Sequence, residues 1–203
     1  MFIGIVLRDE SDYKYIKNSY IKCLKNEAIP LFLIEENVDY FINKCNGFIL
    51  PGGDKFSIVD KKVIKYALDN DVPLLGICLG MQALACFDDL NDTLIDLTKI
   101  NNNNFHNNKE KYSHEVTINE DTLLYKIIKK KKICVNSRHN YHVETIKSNF
   151  IVSSFSKDGI MEGLESTDKK FVVGVQWHPE DMIGYDKDQN LLITRFLDEC
   201  KRR

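Results

Sequence analysis

Four short apolar runs alternate with helical stretches through the first half of the chain, and no other feature constrains the fold as much. The runs are residues 2–7, 30–34, Gly47–Leu50 and 72–77. They lack the polar alternate positions of a half-solvated strand, as expected for strands covered on both faces of a parallel sheet. The stretches between them have helical spacing. Tyr13, Ile16, Tyr20, Ile21 and Leu24 predict a helix over 13–26, and further helices are expected over 37–44, 60–69 and 79–87. Strand–helix alternation of this kind predicts an α/β layer architecture.

The second half has a different rhythm. Short segments at 114–118, 133–136, 142–146, 151–155, 159–164 and 171–177 read as antiparallel additions and a return to the main sheet, and an amphipathic helix is expected over 188–200. No repeat or linker interrupts the 203 residues, so one domain spanning 1–203 is expected. Asn101 to Asn104 reads as a solvated loop and Lys129 to Lys132 as a solvated basic run at a helix end. The net charge of -2 gives no field toward nucleic acid or a membrane surface, and no apolar run approaches the roughly 20 residues of a membrane span. A cytoplasmic location is expected. The six cysteines form no C-x-x-C pair and are expected as free thiols; all but Cys78 are read as buried structural residues.

Cys78 stands apart because of its setting. The strand 72–77 runs into Gly76-Ile77-Cys78-Leu79-Gly80, and a helix follows at once. This is the thiol form of a nucleophile elbow, in which glycines two positions either side make room for a sharp turn. The turn would present Cys78 at a helix N-terminus, where the dipole and unpaired N–H groups favour a thiolate. The N–H of Leu79 would then face a developing oxyanion. Pro51-Gly52-Gly53 ends the neighbouring strand, and strand carboxyl ends are where open α/β sheets place their sites.

A thiol nucleophile needs a base, and the base needs an orienting group. Trp177-His178-Pro179-Glu180 offers both, with Glu180 expected on the same side as His178 in an extended segment. His139 and His142 form a His-x-x-His pair, but no Cys-rich or carboxylate-rich segment accompanies it, so no metal is expected. His106 and His114 read as surface or core histidines.

Three blocks, 49–53, 75–82 and 174–180, resemble the class I glutamine amidotransferase superfamily in content, order and separation. Within it the chain is most similar to free-standing γ-glutamyl hydrolases, including the γ-glutamyl-γ-aminobutyrate type. Leu94–Leu97, Val135 to His139 and Asp158 to Glu165 resemble further blocks of that group. Asn140 stands where the group usually has a second His, Leu79 where it often has Arg, and its acidic insertion after Gly53 is missing here.

The resemblance implies a flavodoxin-like, mostly parallel central sheet flanked by helices, with antiparallel strands added in the second half. It implies a cysteine hydrolase that cleaves a γ-glutamyl amide through a glutamyl thioester, with Cys78, His178 and Glu180 as a catalytic triad. Backbone N–H groups of Gly53 and Leu79 would form the oxyanion hole, and Gly52, Gln82, Asn136, Ser137 and Arg138 would bind the glutamyl group. No cofactor and no metal are implied. The partner is a small γ-glutamyl amide. The alternative is a glutaminase subunit that supplies ammonia to a partner synthase.

Overall fold

The computed structural model describes residues 1–86, 98–100 and 105–203 (for Thr98 the backbone only). The expected end of the helix at Phe87, the Leu94–Leu97 block and the Asn101 to Asn104 loop lie outside the described residues.

The strands in chain order are β1 Phe2–Val6, β2 Arg8–Glu10, β3 Tyr13–Tyr15, β4 Ile29–Leu33, β5 Gly47–Leu50, β6 Leu74–Ile77, β7 Thr98–Lys99, β8 His114–Ile118, β9 Lys132–Val135, β10 Tyr141–His142, β11 Phe150–Ser156, β12 Met161–Ser166 and β13 Val172–Val175. The α-helices are α1 Asn18–Lys22, α2 Val38–Phe41, α3 Ile58–Asn70, α4 Leu79–Cys86, α5 Leu123–Ile128 and α6 Lys187–Lys201.

Nine strands form one sheet in the order β4-β1-β5-β6-β13-β12-β11-β8-β9. The first five pair in parallel, and the last four continue antiparallel. Counted among the parallel strands alone, this is the 2-1-3-4-5 order of a flavodoxin-like sheet. The apolar runs explain it: β5, β6 and β13 are buried at every position. One face packs against α3 and α4 through Val63, Ile64, Met81 and Leu84; the other packs against α5 and α6 through Leu124, Ile127, Leu192 and Phe196. Helix α4 is buried on all sides, which fits its nearly uniform apolar sequence. No described helix is long and apolar enough to cross a membrane.

Three expectations need correction. The helix expected over 13–26 shrinks to α1, because β3 pairs back on β2 around Ser11 in a left-handed turn, and Lys25 and Asn26 also take positive φ. Tyr20 and Leu24 are buried as the spacing required, but Tyr13 is exposed, so the periodic pattern extended too far upstream. The strand expected over 142–146 is only β10, two residues paired with β7. Cys134 is exposed, because it alternates outward on β9, whereas Cys23, Cys45, Cys86 and Cys200 are buried. Helix α5 was foreseen only by its basic end, where Lys129 caps it in the left-handed conformation.

Candidate active site

Strand β6 pairs in parallel with both β5 and β13, so all three end at the same edge of the sheet. Leu50 and Val175 lie opposite Gly76 and Ile77. The segments that follow, Pro51-Gly52-Gly53, Cys78 and His178, are therefore brought together by register alone.

Cys78 takes φ 53°, a left-handed conformation that costs a non-glycine residue about 1–3 kcal/mol and persists only where its surroundings fix it. They do so here. Its N–H donates to Val175 O at 2.8 Å, and its carbonyl accepts from Gln82 N at 3.1 Å as α4 begins. The elbow is closed by close backbone approach. A Cβ on Gly80 would sit 2.1 Å from Leu50 O, and one on Gly76 would sit 2.7 Å from Gly80 O. Both glycines are thus required by contact, as the Gly-x-Cys-x-Gly spacing suggested.

A cleft of about 170 Å³ opens on this edge, with Gly52, Gly53, Cys78, Arg138 and His178 on its wall. Its size suits a small substrate. Cys78 is 7% exposed, so its thiol is reached from the cleft and not walled into the core. Gly52 lies between Cys78 and His178: a Cβ there would lie 2.9 Å from His178 Cε1 and 3.4 Å from Cys78 Cβ.

His178 Nδ1 lies 2.7 Å from Glu180 Oε1, and both side chains are buried. The link is made across a 3₁₀ turn, Pro179–Asp181, rather than along the extended segment expected; His178 has ψ 81° and the chain curls at Pro179. Burial pulls the imidazole toward its neutral form, but Glu180 and Cys78 outweigh it and raise its pKa to about 10.

The loop before the cleft has its own scaffold. Arg8, buried at the start of β2, donates to Asp60 Oδ1 and Oδ2 at 2.8 and 2.6 Å, to Pro51 O at 2.5 Å and to Gly52 O at 3.3 Å. Asp60 also accepts from Ser57 N in the capping box that starts α3. One carboxylate therefore ties a helix start to the glycine loop. Gly52 N donates to Tyr20 Oη at 2.8 Å, and burial followed by the nearby Glu180 carboxylate holds the Tyr20 hydroxyl well above its ordinary pKa.

Of the residues expected to bind a glutamyl group, Gly52 and Arg138 line the cleft. Arg138 pairs with Asp181, whose pKa stays below the ordinary range because that guanidinium outweighs the effect of burial. Gln82, Asn136 and Ser137 are not on the cleft wall and make hydrogen bonds within the protein. The Gln82 amide donates to Tyr141 O and Gln176 Oε1 at 3.0 and 3.1 Å. Asn136 donates to His178 O at 2.9 Å and accepts from His178 N at 2.8 Å. Ser137 donates to His106 O at 2.8 Å. Buried in helix α4 (Gln82) and in the segment after β9 (Asn136 and Ser137), these polar groups are paired with backbone and, for Gln82, also with the Gln176 side chain. Arg8, Lys17 and Tyr20, also on the cleft wall, were missed, as was Asp60, the buried partner of Arg8. Tyr20 had been visible only as one more apolar position of a helix, and nothing near Arg8 in sequence marks its partner Asp60.

A flavodoxin-like sheet with a cysteine elbow, a buried His–Glu pair and a glycine loop at one edge defines a class I glutamine amidotransferase-like domain. The comparisons agree. The Peptidase C26 family model matches residues 55–180, which include Cys78, His178 and Glu180, and the chain belongs to that family. A glutamine amidotransferase-like protein of Rickettsia prowazekii is 28% identical, over 75% of this chain and 77% of its own length. The CTP synthase of Nautilia profundicola is 29% identical over 83% of this chain, but the match covers only 38% of that enzyme. The glutaminase domain of Trypanosoma brucei CTPS, solved with acivicin bound, superposes with a TM-score of 0.73 at 17% identity, over 100% of this chain and 94% of that one. The last comparison bears on the fold.

Proposed function

We propose that this chain hydrolyses a γ-glutamyl amide, with Cys78 as nucleophile, His178 as acid and base, and Glu180 as the orienting carboxylate. The observation that carries this reading is the strained Cys78 elbow sharing one cleft wall with an imidazole whose far nitrogen is held by a buried carboxylate. Sulfur attacks the γ-carbonyl carbon, and the carbonyl electron pair moves to oxygen, where the N–H groups of Gly53 and Leu79 receive it. The carbonyl re-forms as the carbon–nitrogen bond breaks. His178 delivers its Nε2 proton to the departing amine, leaving a glutamyl thioester on Cys78. A water then gives its proton to His178 and its oxygen to the acyl carbon. The thiol is released with glutamate.

Among the glutamyl contacts, Gly52 and Arg138 remain on the wall, whereas Asn136 acts by fixing the His178 backbone. The free-standing γ-glutamyl hydrolase type is the preferred form. The CTP synthase relative supports a second reading, a glutaminase that hands ammonia to a partner synthase. The purified chain, given glutamine and a panel of γ-glutamyl amines, separates the two. Glutamate release from at least one amide by the chain alone, lost in Cys78→Ala, is the result expected of a hydrolase. Negligible turnover that appears only with a synthase added favours the second. An unchanged rate in Cys78→Ala refutes both.

A further inference from the structure

Away from the cleft, four side chains from four separate segments converge in the antiparallel half of the molecule. His106 precedes β8, His114 opens β8, His139 follows β9 and Glu162 sits in β12. All four are buried, and their candidate ligand atoms lie within 4.8 Å of one another. Glu162 Oε1 is 3.3 Å from His106 Nδ1, 3.5 Å from His114 Nε2 and 3.6 Å from His139 Nε2.

The polar bookkeeping is unusual. None of these three ring nitrogens and neither Glu162 oxygen makes a hydrogen bond among the described residues. The opposite nitrogen of each ring does face an acceptor: His106 Nε2 is 3.0 Å from Asp158 Oδ2, His139 Nδ1 is 3.0 Å from Tyr141 O, and His114 Nδ1 is 3.4 Å from Glu115 O. An acceptor on the outer nitrogen fixes the proton there. In neutral rings the inner nitrogens then carry lone pairs that lie close to a buried carboxylate, an arrangement that is costly without a cation. A single extra proton relieves one ring; only a metal ion satisfies all four groups.

We propose that His106, His114, His139 and Glu162 bind one divalent transition-metal ion, zinc foremost, as a closed structural site. Zinc takes four ligands tetrahedrally at roughly 2.0–2.1 Å, which sets ligand atoms about 3.3 Å apart, close to the carboxylate–imidazole separations seen. Four protein ligands leave no open position, the mark of a structural site. Glu162 and Asp158 together balance the charge of the ion. Outer partners on all three rings are the usual support of metal-bound histidines.

The site also has a consequence for the cleft. His139 N and Ser137 Oγ both donate to His106 O, at 2.9 and 2.8 Å. The ion would lock the loop carrying Asn136 and Arg138 onto β12. This inference stands on its own geometry and does not depend on the reaction proposed above.

The test uses the full chain carrying Cys78→Ala, which removes the cleft thiol as a competing ligand. Elemental analysis after purification and desalting, followed by zinc titration, is expected to give about one zinc per chain. Cobalt loading is expected to give the intense visible bands of a four-coordinate ion without thiolate absorption. His114→Gln with His139→Gln is expected to weaken zinc binding more than about 100-fold. If that variant does not fold, Glu162→Gln, which keeps the size and removes the charge, replaces it. Stripping the unsubstituted chain with a chelator is expected to lower its melting temperature, and zinc alone to restore it. No bound metal at micromolar zinc, a six-coordinate cobalt spectrum, binding unchanged in the cluster variants or a melting temperature indifferent to chelator overturns the proposal.

Discussion

Replacing Glu180 by Gln tests the proposed chemistry at its least visible member. The side chain keeps its size and can still accept from His178 Nδ1 through its amide oxygen, so the buried 2.7 Å contact is preserved in shape and loses only its charge. In the native site burial disfavours the imidazolium, and Glu180 is the strongest influence opposing it, ahead of Cys78. With that charge gone the imidazolium loses its strongest support, and the His178 pKa is expected to fall from about 10 toward the neutral range. A buried hydrogen bond to a charged group contributes about 1.5–3 kcal/mol, so the protonated state of the pair should be disfavoured by that amount, or about 10- to 150-fold. The assay is iodoacetamide alkylation of Cys78, read by mass spectrometry across pH, beside turnover of a γ-glutamyl amide. Turnover should fall most at about pH 8–10, where only the variant loses its imidazolium, and its alkaline limb should move to lower pH by about one to two units. The stability profile follows the same group. A pKa raised from 6.5 to about 10 in the folded chain contributes stability that is complete below pH 6.5 and is lost as pH rises through about 10. The variant should keep less of that stability and lose it at lower pH. An alkaline limb of turnover at the same pH in the two chains would refute the assignment of Glu180 as the group that holds His178 charged.

Three further perturbations probe the scaffold. Asn136→Ala removes both hydrogen bonds to the His178 backbone and should cost about 2–4 kcal/mol in a denaturant titration, with turnover falling while the cleft wall stays intact. Arg8→Met leaves Asp60 as an uncompensated buried charge and frees two carbonyls of the glycine loop; a loss of about 3–5 kcal/mol is expected by the same titration, and a loss under 1 kcal/mol would show that the pair does not anchor the loop. Gly80→Ala forces a methyl to within 2.1 Å of Leu50 O. It should lower the melting temperature more than any surface Gly→Ala change, with Cys78 turned out of reach of His178.

Much of this was legible in the order of residues. The parallel strands followed from uninterrupted apolar runs, because a strand covered on both faces has no place for polar alternation. The elbow followed from glycines two residues either side of Cys78, because backbone approach there excludes any Cβ. His178 and Glu180 are near neighbours in sequence, so their contact was open to local reasoning, although the turn that makes it was mistaken for an extended segment.

What the sequence could not express were the groupings of residues remote along the chain. Arg8 meets Asp60, Tyr20 meets Gly52, and Asn136 clamps His178 only because sheet register and the loops at its edge bring them together. Asn136 and Ser137, expected to bind a substrate, make hydrogen bonds to the backbone of His178 and His106, residues far away in sequence. The four-residue His–Glu cluster is the extreme case. Its members lie in four separate segments with no metal-ligand spacing to link them, and only the packing of β8, β9 and β12 turns three histidines and one glutamate into a single constellation. Patterns with a period of a few residues are fixed by the chain itself, and pairings across the sheet belong to the tertiary structure, because the energy that selects them is the shared burial of groups that have no contact until the sheet has formed.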